Sequence, residues 1–220
     1  MESRVKVPPQ LLPDIVPQYL QRVKGLLASG QRVILGLVGA PGAGKSTLAQ
    51  ALLTAFEGIS QVVPMDGFHL SNVELARLGR SERKGAPDTF DSAGYVALLR
   101  RLRHPVFDEV VYAPEFRREI EEPIAGVLPI FPTTQLLIAE GNYLLLDEGH
   151  WAQIAQLMDE TWYVDVEQAL RTSRLVQRHE KFGRSHEAAK LWVANTDEPN
   201  ARLIAHARAR ADLVFRWENL

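Results

Sequence analysis

The stretch Gly39-Ala40-Pro41-Gly42-Ala43-Gly44-Lys45-Ser46-Thr47 decides the fold of this 220-residue chain. It fits the pattern G-x-x-x-x-G-K-[ST], in which glycines let the backbone approach a phosphate and successive amide N–H groups surround it. A short apolar run at 32–38 precedes it, and Leu48, Leu52 and Phe56 follow at helical spacing. A buried strand, a glycine-rich turn and an amphipathic helix would place this loop at a helix N-terminus, where anions bind.

All nine residues of this loop are predicted to bind a nucleoside triphosphate. Lys45 adds a cation beside the β- and γ-phosphates, and the Ser46 hydroxyl is predicted to be a ligand of Mg²⁺. The alternative is a glycine turn that only connects a strand to a helix. The glycines and the Lys-Ser-Thr run fall in register with the complete pattern, which favours phosphate binding.

Further apolar runs predict buried strands, and helical segments separate them. The strands are expected at 61–65, 135–139, 161–165 and 212–215. The helices are expected within 1–30, starting at Pro13 and Asp14, and at 92–103 with Asp91 as N-cap, 148–158, 168–179 and 187–210, the last broken near Pro199. Strands that alternate with helices predict an α/β fold, a three-layer sandwich with a mostly parallel sheet and helices on both faces.

Composition excludes several classes of protein. The chain has no cysteine, so disulfides, Cys-ligated metal sites and thiol nucleophiles are excluded, and a reducing cytoplasm fits. With 25 Lys and Arg against 27 Asp and Glu, it lacks the basic excess that a nucleic-acid partner requires. We find neither a membrane-spanning stretch nor a signal peptide in the sequence. One domain is expected at this length.

The phosphate loop alone does not specify a reaction, because GTPases, motor ATPases and small-molecule kinases share it. A GTPase should carry an Asn-Lys-x-Asp guanine reader, and none is present; Asp91-Ser92-Ala93-Gly94 matches D-x-x-G, a pattern too short to count. The chain is short for a motor. Phosphoryl transfer to a small acceptor is therefore the leading class.

Such a kinase needs a carboxylate that orients the attacking hydroxyl. Asp66 follows the strand predicted at 61–65, and in this type of sheet ligands gather beyond the carboxyl ends of the strands. His69 follows it as a candidate substrate contact. The alternatives are that Asp66 caps a helix beginning near Ser71 and that His69 is an ordinary loop histidine.

Three runs resemble the phosphoribulokinase/uridine kinase/type I pantothenate kinase family of P-loop kinases. They are Asp66-Gly67-Phe68-His69, Arg83-Lys84-Gly85-Ala86-Pro87-Asp88-Thr89-Phe90-Asp91 and Glu140-Gly141-Asn142-Tyr143-Leu144-Leu145. The resemblance covers about residues 33–217. It implies that Asp66 is the catalytic aspartate and that Glu140 serves Mg²⁺, although Glu140 could also be a capping or turn acid.

The same resemblance implies an acceptor site. Arg83 and Lys84 lie on the loop that flanks the acceptor pocket in relatives, although both could be solvated surface residues; Asn142 is a further expected substrate contact. Tyr112, in an expected substrate-side insertion at 105–130, matches a substrate-side tyrosine of pantothenate kinase. The histidine expected two residues after it is absent, which puts pantothenate itself in doubt.

A helical lid is implied at 171–190. Arg171, Arg174 and Arg178 share one face of the helix predicted at 168–179, and a glycine follows at Gly183. Arg174 or Arg178 is expected to stabilise the transition state, and a solvated helix face is the alternative. Asn195 and Asn200 are further candidates for the nucleotide or acceptor pocket.

The sequence thus predicts a kinase that uses ATP and Mg²⁺ to phosphorylate a hydroxyl of a small polar metabolite, with pantothenate, nucleosides and sugars all open. A nucleotide-binding regulatory protein is the alternative. Relatives of the family often form dimers or tetramers, so a homodimer is one expectation.

Overall fold

The computed structural model describes residues 13–217, which form seven α-helices and seven strands. The helices are α1 (Pro17–Leu27), α2 (Lys45–Ala55), α3 (Asn72–Arg77), α4 (Ser92–Arg103), α5 (Gln168–Lys181), α6 (His186–Trp192) and α7 (Glu198–His206). The strands are β1 (Val33–Val38), β2 (Ser60–Pro64), β3 (Val111–Arg117), β4 (Glu122–Ile130), β5 (Leu136–Gly141), β6 (Glu160–Asp165) and β7 (Leu213–Arg216). Within 13–217, no helix has both the length and the apolar content needed to cross a membrane.

Five strands form one parallel sheet in the order β2-β5-β1-β6-β7. All six residues of the central strand β1 are buried, because helices cover both of its faces. In this register Val38 lies opposite Gly141, and Pro64 lies opposite Glu140. The loops that follow β1, β2 and β5 therefore meet at one edge of the sheet.

The sheet separates two apolar cores. The residues of α4, with Tyr95 and Leu99 fully buried, pack on one face. Helices α1 and α2 cover the other, where Tyr19 contacts the rings of Trp162 and Phe215 at centroid distances of 5.6 and 4.6 Å. The predicted three-layer α/β architecture is confirmed.

The bounds predicted for the strands of the sheet agree with the observed bounds to within one or two residues, and the helix predicted at 92–103 is confirmed as α4. The Asp91 side chain accepts a hydrogen bond from the Gly94 N–H at 2.8 Å, as expected of an N-cap. Helix α1 begins later than expected, at Pro17, because the residue before a proline is disfavoured in helical geometry and Val16 is extended. Residues 1–12 of the predicted lead-in lie outside the described residues.

The predicted helix at 148–158 is wrong. The segment forms two 3₁₀ turns, Trp151–Gln153 and Ala155–Leu157. Trp151 and Ile154 do face the core, but their spacing of three residues also fits the three residues per turn of a 3₁₀ helix. The break expected near Pro199 is a π-helical turn, Val193–Asp197. Pro199 itself lies in the first turn of α7, where the backbone N–H that proline lacks would have no partner within the helix.

The segment expected as an insertion contains an antiparallel hairpin of β3 and β4. It stands outside the main sheet and packs against the 3₁₀ turn Met65–Phe68, which follows β2. This contact brings the tip of the hairpin to the edge of the sheet where the phosphate loop lies.

Candidate active site

A cleft of about 820 Å³ opens at the carboxyl edge of the sheet. The phosphate loop forms one wall, and the 3₁₀ turn after β2 and the tip of the hairpin form another. Helix α5 and the π-helical turn line the remaining side. The cleft is large enough for a nucleotide and a small second ligand together.

The phosphate loop adopts the geometry that its glycines permit. Gly42 and Gly44 have φ values of 78° and 93°, in the left-handed region that favours glycine. A Cβ at Gly42 would lie 2.8 Å from the Leu175 side chain. Helix α2 begins directly after Gly44, with no side chain capping its first N–H groups, so these donors are available to a phosphate.

Lys45 points back into this loop. Its Nζ donates to the carbonyl oxygens of Gly39 and Ala40, at 2.9 and 3.1 Å, and to Oδ1 of Asn142 at 2.7 Å. Only 7% of the residue is exposed, and this burial lowers the pKa of Lys45 to about 8. The ammonium group is thus held where a phosphate would enter, with neutral oxygens as its hydrogen-bond partners.

Two oxygen ligands suited to Mg²⁺ stand beside the loop. The Ser46 hydroxyl donates to Oε1 of Glu140 at 3.0 Å, and burial raises the pKa of Glu140. Mg²⁺ prefers oxygen ligands and usually keeps several waters, so one hydroxyl and one carboxylate beside substrate phosphates fit it. Among residues 13–217 there is no cluster of three or more His, Cys, Asp or Glu that could hold a metal alone.

Asp66 faces the same cleft from the turn after β2. Burial alone raises the pKa of Asp66, but the positive charges near it outweigh burial. These are the charge of His69 when its ring is protonated and that of the Arg118 guanidinium, so the pKa of Asp66 lies below its usual value and the carboxylate is ionised at neutral pH. Nη2 of Arg118 lies 3.3 Å from Oδ2 of Asp66. Asp66 does not cap α3, because Ser71 does so by accepting the Glu74 N–H.

His69 supports the turn that carries Asp66. Its Nδ1 lies 2.8 Å from the Asp66 carbonyl oxygen, which requires the tautomer with a proton on Nδ1. The ring packs between Phe90 and Phe116, at centroid distances of 4.0 and 4.5 Å, and burial lowers the pKa of His69. His69 lines the cleft, and its hydrogen bond holds the backbone at Asp66.

Gly67 allows the hairpin to dock beside Asp66. A Cβ at Gly67 would lie 2.3 Å from the carbonyl oxygen of Pro114, at the bulge of β3. We expect Gly67→Ala to lower the free energy of unfolding by about 1–3 kcal/mol, because the hairpin must move away. Denaturant unfolding would measure this. The control Gly25→Ala, in α1 with no atom within 4 Å, should be neutral or stabilising; equal effects of the two substitutions would contradict the prediction.

The structure brings most predicted site residues to the cleft, but three of the nine predicted loop residues, Gly39, Ala40 and Ala43, are buried and do not line it. Besides the other loop residues, Asp66 and Glu140, the predicted residues that line it are His69, Lys84, Asn142, Arg174, Arg178 and Asn200. Arg171 does not face the cleft, because it is buried in an ion pair with Glu198 of α7. Asn195 is not among the lining residues, whereas its neighbours Thr196 and Asp197 are.

Arg83 and Tyr112 do not reach the cleft, and several residues that do line it were not predicted. The Arg83 side chain is half exposed and pairs with Asp88, and Tyr112 is 60% exposed on the hairpin. Phe116 and Arg118 line the cleft instead. The only sequence signal for Arg118 was its place, next to Arg117, within the insertion expected at 105–130.

Two arginines of α5 face the cleft. Arg178 is largely buried, and burial followed by the charge of Arg118 lowers the pKa of its guanidinium, which remains a cation at neutral pH. Arg174 lies near the phosphate loop, with Nη1 3.9 Å from the position that a Cβ on Gly44 would occupy. Both cations stand where negative charge on a bound triphosphate would be stabilised.

Comparison with known proteins gives consistent matches. A model of the family described as phosphoribulokinase/uridine kinase matches residues 34–218. A Schizosaccharomyces pombe protein with the provisional name uridine kinase C227.14 is 36% identical over 93% of this chain and 92% of its own length. A Ligilactobacillus salivarius protein named pantothenate kinase is 30% identical over 96% of this chain and 75% of its own.

Solved structures agree with the fold. A Silicibacter sp. TM1040 protein, provisionally named a fructose transport system kinase, has a TM-score of 0.81 and 38% identity, covering 92% of this chain and 100% of that one. YFH7 from Saccharomyces cerevisiae has a TM-score of 0.78 at 20% identity, covering 92% of this chain and 99% of that one, and supports the fold alone.

Proposed function

Because the chain belongs to the phosphoribulokinase/uridine kinase family of P-loop kinases, we propose that it transfers the γ-phosphoryl group of ATP to a hydroxyl of a small polar metabolite. The observation that carries this proposal is the meeting of three groups in one cleft. These are the buried cation of Lys45, the Ser46–Glu140 pair and the ionised carboxylate of Asp66.

The phosphate loop would hold the triphosphate. The free N–H groups at the start of α2 would donate to phosphate oxygens. The Lys45 ammonium would exchange its hydrogen bonds to loop carbonyl oxygens for contacts with the same phosphate oxygens. Ser46 and Glu140 would hold Mg²⁺, which neutralises phosphate charge when bound. The same Ser46 hydroxyl that now donates to Glu140 has a lone pair to offer the ion.

Asp66 would bind the acceptor hydroxyl. An ionised carboxylate accepts the hydroxyl hydrogen bond, orients the oxygen for in-line attack and can take its proton. A nucleotide-dependent regulatory protein would have no need of an ionised carboxylate that faces the cleft beside the phosphate loop. This is the reason for preferring a kinase.

Segment 171–190 would close over the site as a lid. Arg174 and Arg178 on α5 would approach the transferring phosphoryl group. Gly183 follows α5 with a φ of 95° and allows the chain to change direction there. Closure would exclude water and so favour transfer to the acceptor over hydrolysis.

Metal dependence tests the role of Glu140. We expect Glu140→Gln to raise the Mg²⁺ concentration needed for half-maximal activity by about 10-fold or more, because the ion loses a negatively charged partner. Titration of activity with Mg²⁺ at saturating ATP measures this. Glu57→Gln, at an exposed position after α2, should leave the titration unchanged. An unchanged Mg²⁺ requirement in the Glu140 variant would remove this residue from the metal site.

The proposed function itself is tested by a screen for acceptors. The full chain with ATP and Mg²⁺ is supplied in turn with pantothenate, nucleosides, ribosyl compounds and ketohexoses, and ADP formation is followed. At least one compound should raise ADP formation well above the rate without acceptor and become phosphorylated. ATP consumption that no hydroxyl compound stimulates would favour the regulatory alternative.

A further inference from the structure

One part of the cleft is not used by the nucleotide in the proposed function. This part, here called the acceptor side, consists of Asp66, His69, Lys84, Phe116 and Arg118. The hairpin supplies two of these residues, and the loop after α3 supplies Lys84. Its charges and its aromatic faces indicate what it can bind.

Lys84 is a largely buried cation whose ammonium group has no anion in direct contact. Only 13% of its side chain is exposed, and burial lowers the pKa of Lys84. Its Nζ donates to the neutral oxygens Oδ1 of Asn72, at 2.7 Å, and the carbonyl of Glu121. The nearest carboxylate, that of Glu121, stands 3.9 Å away and is more than half exposed. A buried cation gains most from an anion in direct contact, and this solvated carboxylate is easily replaced.

Arg118 is the second cation of the acceptor side. Its single ion pair in the described structure is the 3.3 Å contact with Asp66, the carboxylate proposed to bind the acceptor hydroxyl. A guanidinium has five N–H donors, so Arg118 can keep this contact and still bind a second anion. Across the cleft, Oδ2 of Asp197 lies 2.8 Å from Nε2 of His179, so this carboxylate already has a hydrogen-bond partner.

The aromatic rings of the acceptor side are already occupied. The Phe116 ring contacts the His69 ring. Nζ of Lys84 and Cζ of Arg118 lie over the Phe116 ring, 5.1 and 6.0 Å from its centroid. His69 lies between Phe90 and Phe116. A neutral nucleobase could stack on Phe116 only by displacing one of these neighbours, whereas an anion at Lys84 would replace only the solvated carboxylate of Glu121.

We propose that the acceptor carries an anionic group, a carboxylate or a phosphate, which Lys84 and Arg118 bind while its hydroxyl reaches Asp66. This inference rests on the proposed function and restricts its substrate class. Uncharged nucleosides and free sugars are then poor acceptors. The γ-phosphoryl group passes from ATP to the acceptor oxygen, ADP leaves, and the hydroxyl proton goes to Asp66 or to solvent.

Matched pairs of compounds test the proposal on the full chain. Each pair shares a hydroxylated skeleton and differs in the anionic group: D-glycerate and glycerol, pantothenate and pantothenol, ribose 5-phosphate and ribose; uridine is added as a neutral nucleoside. In at least one pair the anionic member should have a kcat/KM about 10- to 100-fold above its neutral partner, as expected for a charge-assisted hydrogen bond. The first two pairs test a carboxylate, and the third tests a phosphate.

Variants connect this preference to the two cations. Lys84→Gln should reduce kcat/KM for the preferred anionic acceptor by about 10- to 100-fold and leave KM for ATP unchanged, so the preference over the neutral partner shrinks. Exposed Lys24→Gln is its control. Arg118→Gln should lose the preference too, whereas Arg117→Gln, on the neighbouring residue that pairs with Glu115, should keep it. Thermal melts confirm that each variant is folded.

The outcomes separate the two proposals. A neutral acceptor that matches or exceeds its anionic partner in every active pair, or uridine as the best substrate, overturns the anionic acceptor and leaves the kinase intact. An unchanged preference in folded Lys84→Gln also overturns it. If no compound is phosphorylated, the proposed function and this inference fall together.

Discussion

Replacing Asp66 by asparagine is expected to lower turnover by at least about 100-fold while ATP affinity stays nearly unchanged. Asparagine keeps the size of the side chain and one acceptor oxygen, but it has no negative charge to orient and deprotonate a hydroxyl. The ionised state on which this depends follows from the cations around Asp66, which outweigh its burial. Because Asp66 lies on the turn after β2 and not in the phosphate loop, nucleotide binding should persist.

Two measurements decide this prediction. Steady-state kinetics with the best acceptor gives kcat, and isothermal titration with a non-hydrolysable ATP analogue gives the affinity. Asp108→Asn, at an exposed loop position with φ of 62° that asparagine tolerates, is a matched control. Full turnover in Asp66→Asn would remove Asp66 from the mechanism. Loss of ATP binding together with turnover would instead assign it a role in folding or nucleotide binding.

The parts of the fold that could be predicted are those that local sequence determines. Residues 33–38 are apolar without interruption, and a strand buried on both faces requires this pattern. The glycines of the phosphate loop mark positive φ values, as at Gly42 and Gly44. Asp66 was predictable because it directly follows a strand of a parallel sheet, and such positions meet at one edge.

The acceptor side could not be predicted in the same way because tertiary contacts create it. Arg117 and Arg118 are adjacent arginines, and only the docking of the hairpin on Gly67 decides that Arg118 faces Asp66 while Arg117 pairs with Glu115. Arg83 and Lys84 are likewise adjacent and point to different environments.

Lys45→Gln is expected to lower kcat by about 100- to 1,000-fold and to weaken ATP binding as well. Lys45 is the cation of the phosphate loop itself and donates to the carbonyl oxygens of Gly39 and Ala40. Glutamine offers N–H donors on a slightly shorter side chain but carries no charge. Unlike Asp66→Asn, this variant should therefore lose affinity together with turnover. The same kinetic and calorimetric measurements test it, with Lys24→Gln as an exposed control.

Proton exchange gives an independent test of the Lys45 charge. Burial places the pKa of Lys45 at about 8 in the free protein, so above that pH the group is increasingly neutral. A bound triphosphate favours the ammonium form and raises this pKa, so ATP binding at about pH 9 should take up close to one proton at Lys45, and much less at about pH 7. Calorimetry in two buffers of different ionisation enthalpy measures the uptake, and its difference between wild type and Lys45→Gln isolates this residue. Equal proton uptake in wild type and Lys45→Gln would mean that Lys45 does not change its protonation when the phosphates bind. In that case Lys45 would cause no fall in ATP affinity as the pH rises through 8.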